Sequence, residues 1–242
     1  MDGTLIDLAL FLLATFAAAL VAGLAGFAFG LVAAAIWLHI LSPLQTATLI
    51  IAFGLVVQGL SVWKLRHALD WRRLWPFVAG GTLGVPLGVA ILGWADPKHV
   101  RMGVGAVLVL YSLYALARPA LKPIAGGAAA DAGVGFLNGV LGGMTGLAGI
   151  LVTIWCGLRG WPKDVQRAVF QPAAVAIFVF SAAWLGAKGA VAADTLGLFL
   201  IGLPVLLAGT WAGLKLYGRL DESGFRKLVL ILLLISGAVL IY

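Results

Sequence analysis

The stretch Leu141-Gly142-Gly143-Met144-Thr145-Gly146-Leu147-Ala148-Gly149 decides how this chain is read. It lies within 27 uncharged residues, Ala132 to Leu158, and carries glycines at 142, 143, 146 and 149. Each glycine in a helix interior costs about 1 kcal/mol against alanine, so one straight helix is a poor home for this segment. In hydrocarbon, broken backbone is tolerated only where protein buries it or where it lines a cavity. The stretch therefore predicts two helical arms meeting at a tip. The N-terminus of the second arm would present free N–H groups and a positive dipole end to an anion. The first half of the chain has a counterpart in Ala22-Gly23-Leu24-Ala25-Gly26-Phe27-Ala28-Phe29-Gly30. Small residues also let membrane helices pack closely, and that reading suits any one of these glycines alone. The recurrence of the cluster favours the tip.

Composition fixes the class. The 242 residues are 63% hydrophobic and 10% charged, and no Asp, Glu, Lys or Arg occurs in the 56 residues from Leu8 to Trp63. No soluble domain needs such a run, so the reading is an all-α polytopic membrane protein. The N-terminus lacks a basic region and carries Asp2 and Asp7, unlike a cleaved signal peptide. A net charge of +7 is assigned to cytoplasmic loops facing anionic lipid, with no nucleic-acid partner. Cys156 is the single cysteine, which excludes an intrachain disulfide and a cysteine metal cluster, and it reads as a small packing residue. No cofactor is expected.

Charge and turn punctuation divide the chain. Leu5 to Ile40 makes two arms broken near Gly23 to Gly26, followed by helices over Thr46 to Trp63, Leu74 to Ala95 and Met102 to Ala117. A linker with Pro119, Pro123, Gly126 and Gly127 leads to the second pair of arms, Ala132 to Leu158. Helices over Ala168 to Ala187, Thr195 to Leu214 and Leu228 to Ile241 complete the chain. Gly84, Gly88, Gly93, Asp96 and Arg101 match Gly209, Gly213, Gly218, Asp221 and Arg226 at one shift of 125 residues, and Gly23 and Gly26 match Gly143 and Gly146 at 120. An internal duplication follows: residues 1–118 as first repeat, 119–130 as linker and 131–242 as second repeat, together one membrane domain. If each hairpin returns to its starting side, 13 of the 16 Lys and Arg fall on the cytoplasmic side, leaving Lys98, Arg101 and Lys188 outside. The positive-inside rule thus favours returning hairpins. Each repeat then crosses an odd number of times, so the two are inverted, as in secondary transporters.

The glycine-rich segments Gly23-Leu24-Ala25-Gly26 and Gly142-Gly143-Met144-Thr145-Gly146 open the two halves. Pro43-Leu44-Gln45-Thr46-Ala47-Thr48 and Pro162-Lys163-Asp164-Val165-Gln166-Arg167-Ala168 follow them. With the glycine pattern before Asp96 and Asp221, they make nearly the whole chain resemble the sulfite exporter TauE/SafE family of membrane permeases. The resemblance implies a multi-pass protein of the bacterial inner membrane that moves sulfite, sulfoacetate or other organosulfonates. The first hairpin is thinner in glycine than the family's usual cluster.

Every basic residue falls at a predicted membrane edge, so the expected anion site is built from neutral donors. These are the backbone at Gly23, Gly26, Gly143 and Gly146, the hydroxyls of Thr48 and Thr145, and the amides of Gln58, Asn138 and Gln171. Weak neutral binding suits a transporter, which must release what it binds. Each amide could instead make an interhelical hydrogen bond. Trp37 and Trp155, both a few turns past a tip, read as interfacial anchors. Asp7 and Asp131 open the two hairpins and read as interfacial, and no residue stands out as a proton carrier. The expected partners are a small anion and the bilayer, with room for a second copy in a homodimer. A channel-like facilitator for a small anion is the alternative. An intramembrane enzyme would need a nucleophile paired with a base or a metal cluster, and the three histidines are scattered.

Overall fold

The computed structural model describes residues 5–92, 97–117, 123–145, 148–187 and 193–241. Among them are ten α-helices and no strand. In the first half, α1 (Leu5–Ala25) and α2 (Phe29–Ile40) form a broken hairpin, followed by α3 (Pro43–Lys64), α4 (Trp71–Leu92) and α5 (Pro97–Ala117). In the second half, α6 (Ala128–Thr145) and α7 (Ile150–Leu158) form the hairpin, followed by α8 (Lys163–Ala187), α9 (Ala193–Tyr217) and α10 (Glu222–Ile241). The expected order, a broken hairpin and then three helices, thus holds in both halves. Helices within Leu5–Ala25, Gln45–Lys64, Lys163–Ala183 and Asp194–Tyr217 are long and apolar enough to cross a membrane. Large apolar side chains such as Leu83, Leu110, Leu137, Leu200 and Ile235 point outward, as lipid-facing residues do. The second arms are short. At 1.5 Å per residue, α2 and α7 reach about 18 and 14 Å, against a hydrocarbon core of about 30 Å.

Two details differ from the sequence reading. The breaks fall later than the first glycines of each cluster: α1 runs through Gly23 to Ala25, and α6 runs through Gly142 and Gly143 to Thr145. Gly23 serves packing, and among the described residues of the two breaks the backbone takes positive φ at Gly26 (87°), Ala28 (71°) and Gly149 (95°). Helix α8 also begins five residues before the expected Ala168, because Pro162 suits a helix start and the charged residues after it form the first turn.

The chain forms two compact units, each drawing on both halves. Unit 1 comprises residues 1–64 and 174–219, hence α1 to α3, the latter part of α8, and α9. Its main pairing is α1 on α9. Gly23 lies at this crossing, where an added Cβ would come within 2.7 Å of the Thr210 carbonyl, and a Cβ on Gly209 within 2.6 Å of the Phe16 carbonyl. The unit's core is aromatic. Trp37 stacks on Phe11 at 5.2 Å and meets Phe29 and Phe53, and Phe53 stacks on Phe199 at 5.0 Å. Trp37 has no exposed surface, which corrects its reading as an interfacial anchor: three aromatic neighbours outcompete the headgroup region for its ring.

Unit 2 comprises residues 65–173 and 220–242. It opens with a short 3₁₀ turn, Arg66–Ala68, and its main pairing is α4 on α6. Gly80, Gly84 and Gly88, four apart, lie against the α6 carbonyls of Ala132, Phe136 and Val140 so closely that a Cβ at any of them would overlap backbone. This is small-residue packing of membrane helices. The glycines matched at a shift of 125 therefore do matching work. Gly84 and Gly88 seat α4 on α6, and Gly209 and Gly213 seat α9 on α1. Helix α5 packs on α10, with Arg226 Nη2 donating to the Ala115 carbonyl at 3.3 Å.

Local caps explain several helix starts. Before α3, Ser42 and Gln45 form a reciprocal capping box: the Ser42 N–H and hydroxyl donate to Gln45 Oε1, and the Gln45 N–H returns to Ser42 Oγ. Before α10, Asp221 Oδ1 accepts the Gly224 N–H at 2.8 Å and Oδ2 accepts the Ser223 hydroxyl. The start of α8 is tied to that of α10, with the Lys163 N–H donating to Glu222 Oε2 and the Lys163 ammonium to the Leu220 carbonyl.

Candidate functional site

In unit 2 the tip is built by α6 and α7. Gly149 precedes α7 in the left-handed conformation and turns the chain back on itself. Asn138, three turns into α6 and wholly enclosed, holds this start. Its Oδ1 accepts the N–H of Gly149 at 3.1 Å and of Leu151 at 3.3 Å. Two of the N–H groups that a helix start leaves orphaned are thereby satisfied inside the protein. Asn138, read from the sequence as a neutral donor or an interhelical hydrogen-bonding amide, uses its carbonyl oxygen as an acceptor that shapes the tip. Gly143 lies just before the end of α6, and Thr145 is its last residue. Gly146 lies outside the described residues.

In unit 1 the tip follows the same plan with a different residue. Gly26 ends α1, its N–H donating to the Ala22 carbonyl at 2.7 Å, and Ala28 (φ 71°) precedes α2 in the left-handed conformation that Gly149 adopts before α7. An alanine there carries the steric cost of the left-handed region, about 1–2 kcal/mol. Gln58 of α3 donates its Nε2 to the Gly26 carbonyl at 3.0 Å. Two of the three amides singled out in the sequence thus bridge a tip to its surroundings. Gly23 is a packing residue of α1. Thr48 lines a cavity of about 250 Å³ with Leu49, Ala52, Leu55, Thr195 and Phe199, whose apolar walls are poor surroundings for a hydrated anion.

The arms are also tied at a second level. In α7, Trp155 Nε1 donates to Asp131 Oδ1 of α6 at 2.7 Å, and Arg159 Nη1 reaches the same oxygen at 2.8 Å. The ion pair is enclosed, with side-chain exposures of 8% for Asp131 and 15% for Arg159, so bulk water screens it little. The Arg159 guanidinium lies 4.9 Å over the Trp161 ring. In α2, Trp37 Nε1 makes the corresponding reach to the Phe11 carbonyl of α1, at 3.5 Å. Each second arm is thus pinned to its first by a tryptophan. Asp131, read as interfacial, is enclosed by protein in the first turn of α6. The nearby opposite charge of Arg159 is what makes burial tolerable.

One buried cation was missed. Arg167 has no exposed surface, and neither does Gln171 one turn further along α8. Starting α8 at Ala168 had pushed Arg167 into a loop. Pro162 was the available signal, since a helix opening there carries Arg167 into its second turn. Arg167 lies within the candidate span Lys163–Ala183, about one turn from its charged start.

Paired broken hairpins, glycine-seated helix crossings and long apolar helices with outward-facing leucines define a multi-pass helical membrane protein. The chain belongs to the sulfite exporter TauE/SafE family, whose family model matches residues 10–240. It is accordingly a membrane transporter and not an enzyme, and its substrate is a small anion. Comparison with curated proteins and with solved structures gives no match.

Proposed function

We propose that this protein is a secondary transporter of the bacterial inner membrane that exports sulfur-containing or organic anions such as sulfite, sulfoacetate or other organosulfonates. The observation that carries this reading is the start of α7. A short arm begins at a glycine of positive φ, and a buried amide fixes its first N–H groups. Asn138 takes up the N–H groups of Gly149 and Leu151 and so fixes the turn, which leaves the positive dipole end of the helix start where an anion can meet it. The start of α2 repeats the plan. The binding residues would be Gly143, Thr145 and Gly146 at the second tip, Gly23 and Gly26 at the first, and the polar side chains of Thr48, Gln58, Asn138 and Gln171 as ligands or supports. Both repeats open with a hairpin and continue with three helices, which supports an inverted pair working by alternating access. A homodimer is compatible with this reading.

Reconstitution in proteoliposomes tests it. Saturable sulfite or sulfoacetate uptake with counterflow is expected, and Thr145→Val and Gly146→Val should reduce it while the protein still elutes as a folded species. Non-saturable flux without counterflow would replace the carrier by a channel-like facilitator. Normal transport by both variants would remove the tip from the site. Cysteines placed in the 64–73 and 159–163 loops should both resist an impermeant label added outside whole cells, and labelling of either would refute the inverted arrangement.

A further inference from the structure

We propose that Arg167, with Gln171 one turn beyond it, is the cationic anchor of the anion site. The inference rests on the transport reading above and adds to it a charged ligand that neither the glycine clusters nor the neutral donors supply. Arg167 is wholly buried within a candidate membrane span. A guanidinium in such a place is costly, and an ionisable side chain inside a span is read first as part of a functional site. Around it α8 is enclosed on every side: Ala168, Val169, Phe170, Ala173 and Ala174 are all buried. Residues four apart on a helix share a face, so Gln171 stands on the same face of α8 as Arg167. Arginine offers a planar fork of N–H donors that matches two oxygens of a sulfite or sulfonate group, which a lysine cannot reproduce.

The register of the two halves gives independent support. Gln45-Thr46-Ala47 and Gln166-Arg167-Ala168 are separated by 121 residues, the same distance that separates the first residues of α2 and α7. Both glutamines reach back to the residues before their helices. Gln45 Oε1 accepts from Ser42, and Gln166 Nε2 donates to the Trp161 carbonyl at 2.7 Å. In each half the residue that follows is polar and enclosed. Thr46 is 2% exposed, and its hydroxyl has no hydrogen-bond partner among the described residues. A polar side chain is thus buried at this one register position in both repeats, where an apolar residue would cost nothing in solvation. That is the mark of a position kept for a ligand.

The test measures uptake kinetics and sulfite-induced thermal stabilisation for wild type, Arg167→Gln, Arg167→Lys, Gln171→Glu and Asp164→Asn. Loss of a charge-assisted contact should raise the KM of Arg167→Gln by about 10- to 150-fold with little change in maximal rate. Arg167→Lys should recover only part of the affinity. Gln171→Glu sets a carboxylate on the same face of α8 as Arg167, keeping the fold but competing with the substrate, so KM rises and sulfite no longer stabilises the protein. Wild type that moves none of sulfite, sulfoacetate and sulfate refutes the transport reading and this inference together. Wild type that transports while Gln171→Glu keeps its KM within about twofold refutes the inference alone, whether or not Arg167→Gln folds. Equal destabilisation by Asp164→Asn and Arg167→Gln with unchanged KM does the same, by making Arg167 a structural partner of the helix start.

Discussion

Replacing Asn138 by alanine should loosen the start of α7 without unfolding the protein. The side chain is 1% exposed and its Oδ1 accepts two backbone N–H groups, from Gly149 at 3.1 Å and Leu151 at 3.3 Å. A buried N–H left unmade costs about 1–3 kcal/mol, and loss of a helix cap typically about 1 kcal/mol. The bond to Leu151 is the longer and contributes less, so the two together come to about 2 kcal/mol. Local opening of the α7 start should therefore become about 30-fold more frequent. Hydrogen exchange at the amides of 149 and 151, read by mass spectrometry in detergent, should accelerate by that factor while exchange in α4 and α10 stays put. Asn138→Asp keeps the acceptor and adds a charge that the helix dipole favours, so it should preserve most of the protection. Unchanged exchange in the alanine variant would refute the argument that Asn138 holds the tip.

Three further outcomes are expected. Asp131→Asn should destabilise the protein by about 3 kcal/mol, the low end for breaking an enclosed ion pair; the double variant with Arg159→Gln should recover part of the loss in thermal melts. Ala28→Gly should stabilise by up to about 1 kcal/mol by relieving the left-handed backbone, whereas Gly149→Ala should destabilise by a similar amount, both read from melting temperature. The Ser223 hydroxyl, then the Gly224 N–H, hold the Asp221 carboxyl below its usual range. A group depressed on folding stabilises above its unfolded pKa, and that contribution fades as pH falls through the folded value. The melting-temperature deficit of Asp221→Ala should accordingly be full at neutral pH and vanish below the carboxylate range; a deficit that persists in acid would rule out the carboxylate as its source.

The helix inventory could be read from charge-free runs and turn residues because hydrocarbon tolerates little else. The glycines proved harder, since one residue type serves two ends. Gly84 and Gly23 permit close crossings, Gly26 and Gly149 permit a turn, and only neighbouring backbone decides which. The matched pairs Gly84 with Gly209 and Gly88 with Gly213 were recognisable in sequence, yet the partner helix of each was not, because it lies far along the chain. Trp37 was misread because its aromatic neighbours Phe11, Phe29 and Phe53 come from three helices. Arg167 was misread because helix starts are the least certain feature of a periodic pattern, and a shift of one turn moves a residue from loop to interior.

The pairing of α1 with α9 bears on how the protein is made. Helix α1 leaves the ribosome well before α9, which does not begin until residue 193. At roughly 5–20 residues per second, α1 waits on the order of ten to thirty seconds in the bilayer for its partner. Helix α4, by contrast, meets α6 as soon as residues 128–145 have been inserted. Unit 2 can therefore begin to assemble once α6 is inserted, and unit 1 closes only after α9 has followed. A ribosome that stalls after α6 would leave the glycine- and alanine-lined face of α1 open to other membrane helices. Nascent chains halted there should cross-link through α1 to the insertion machinery, and chains extended past residue 217 should not.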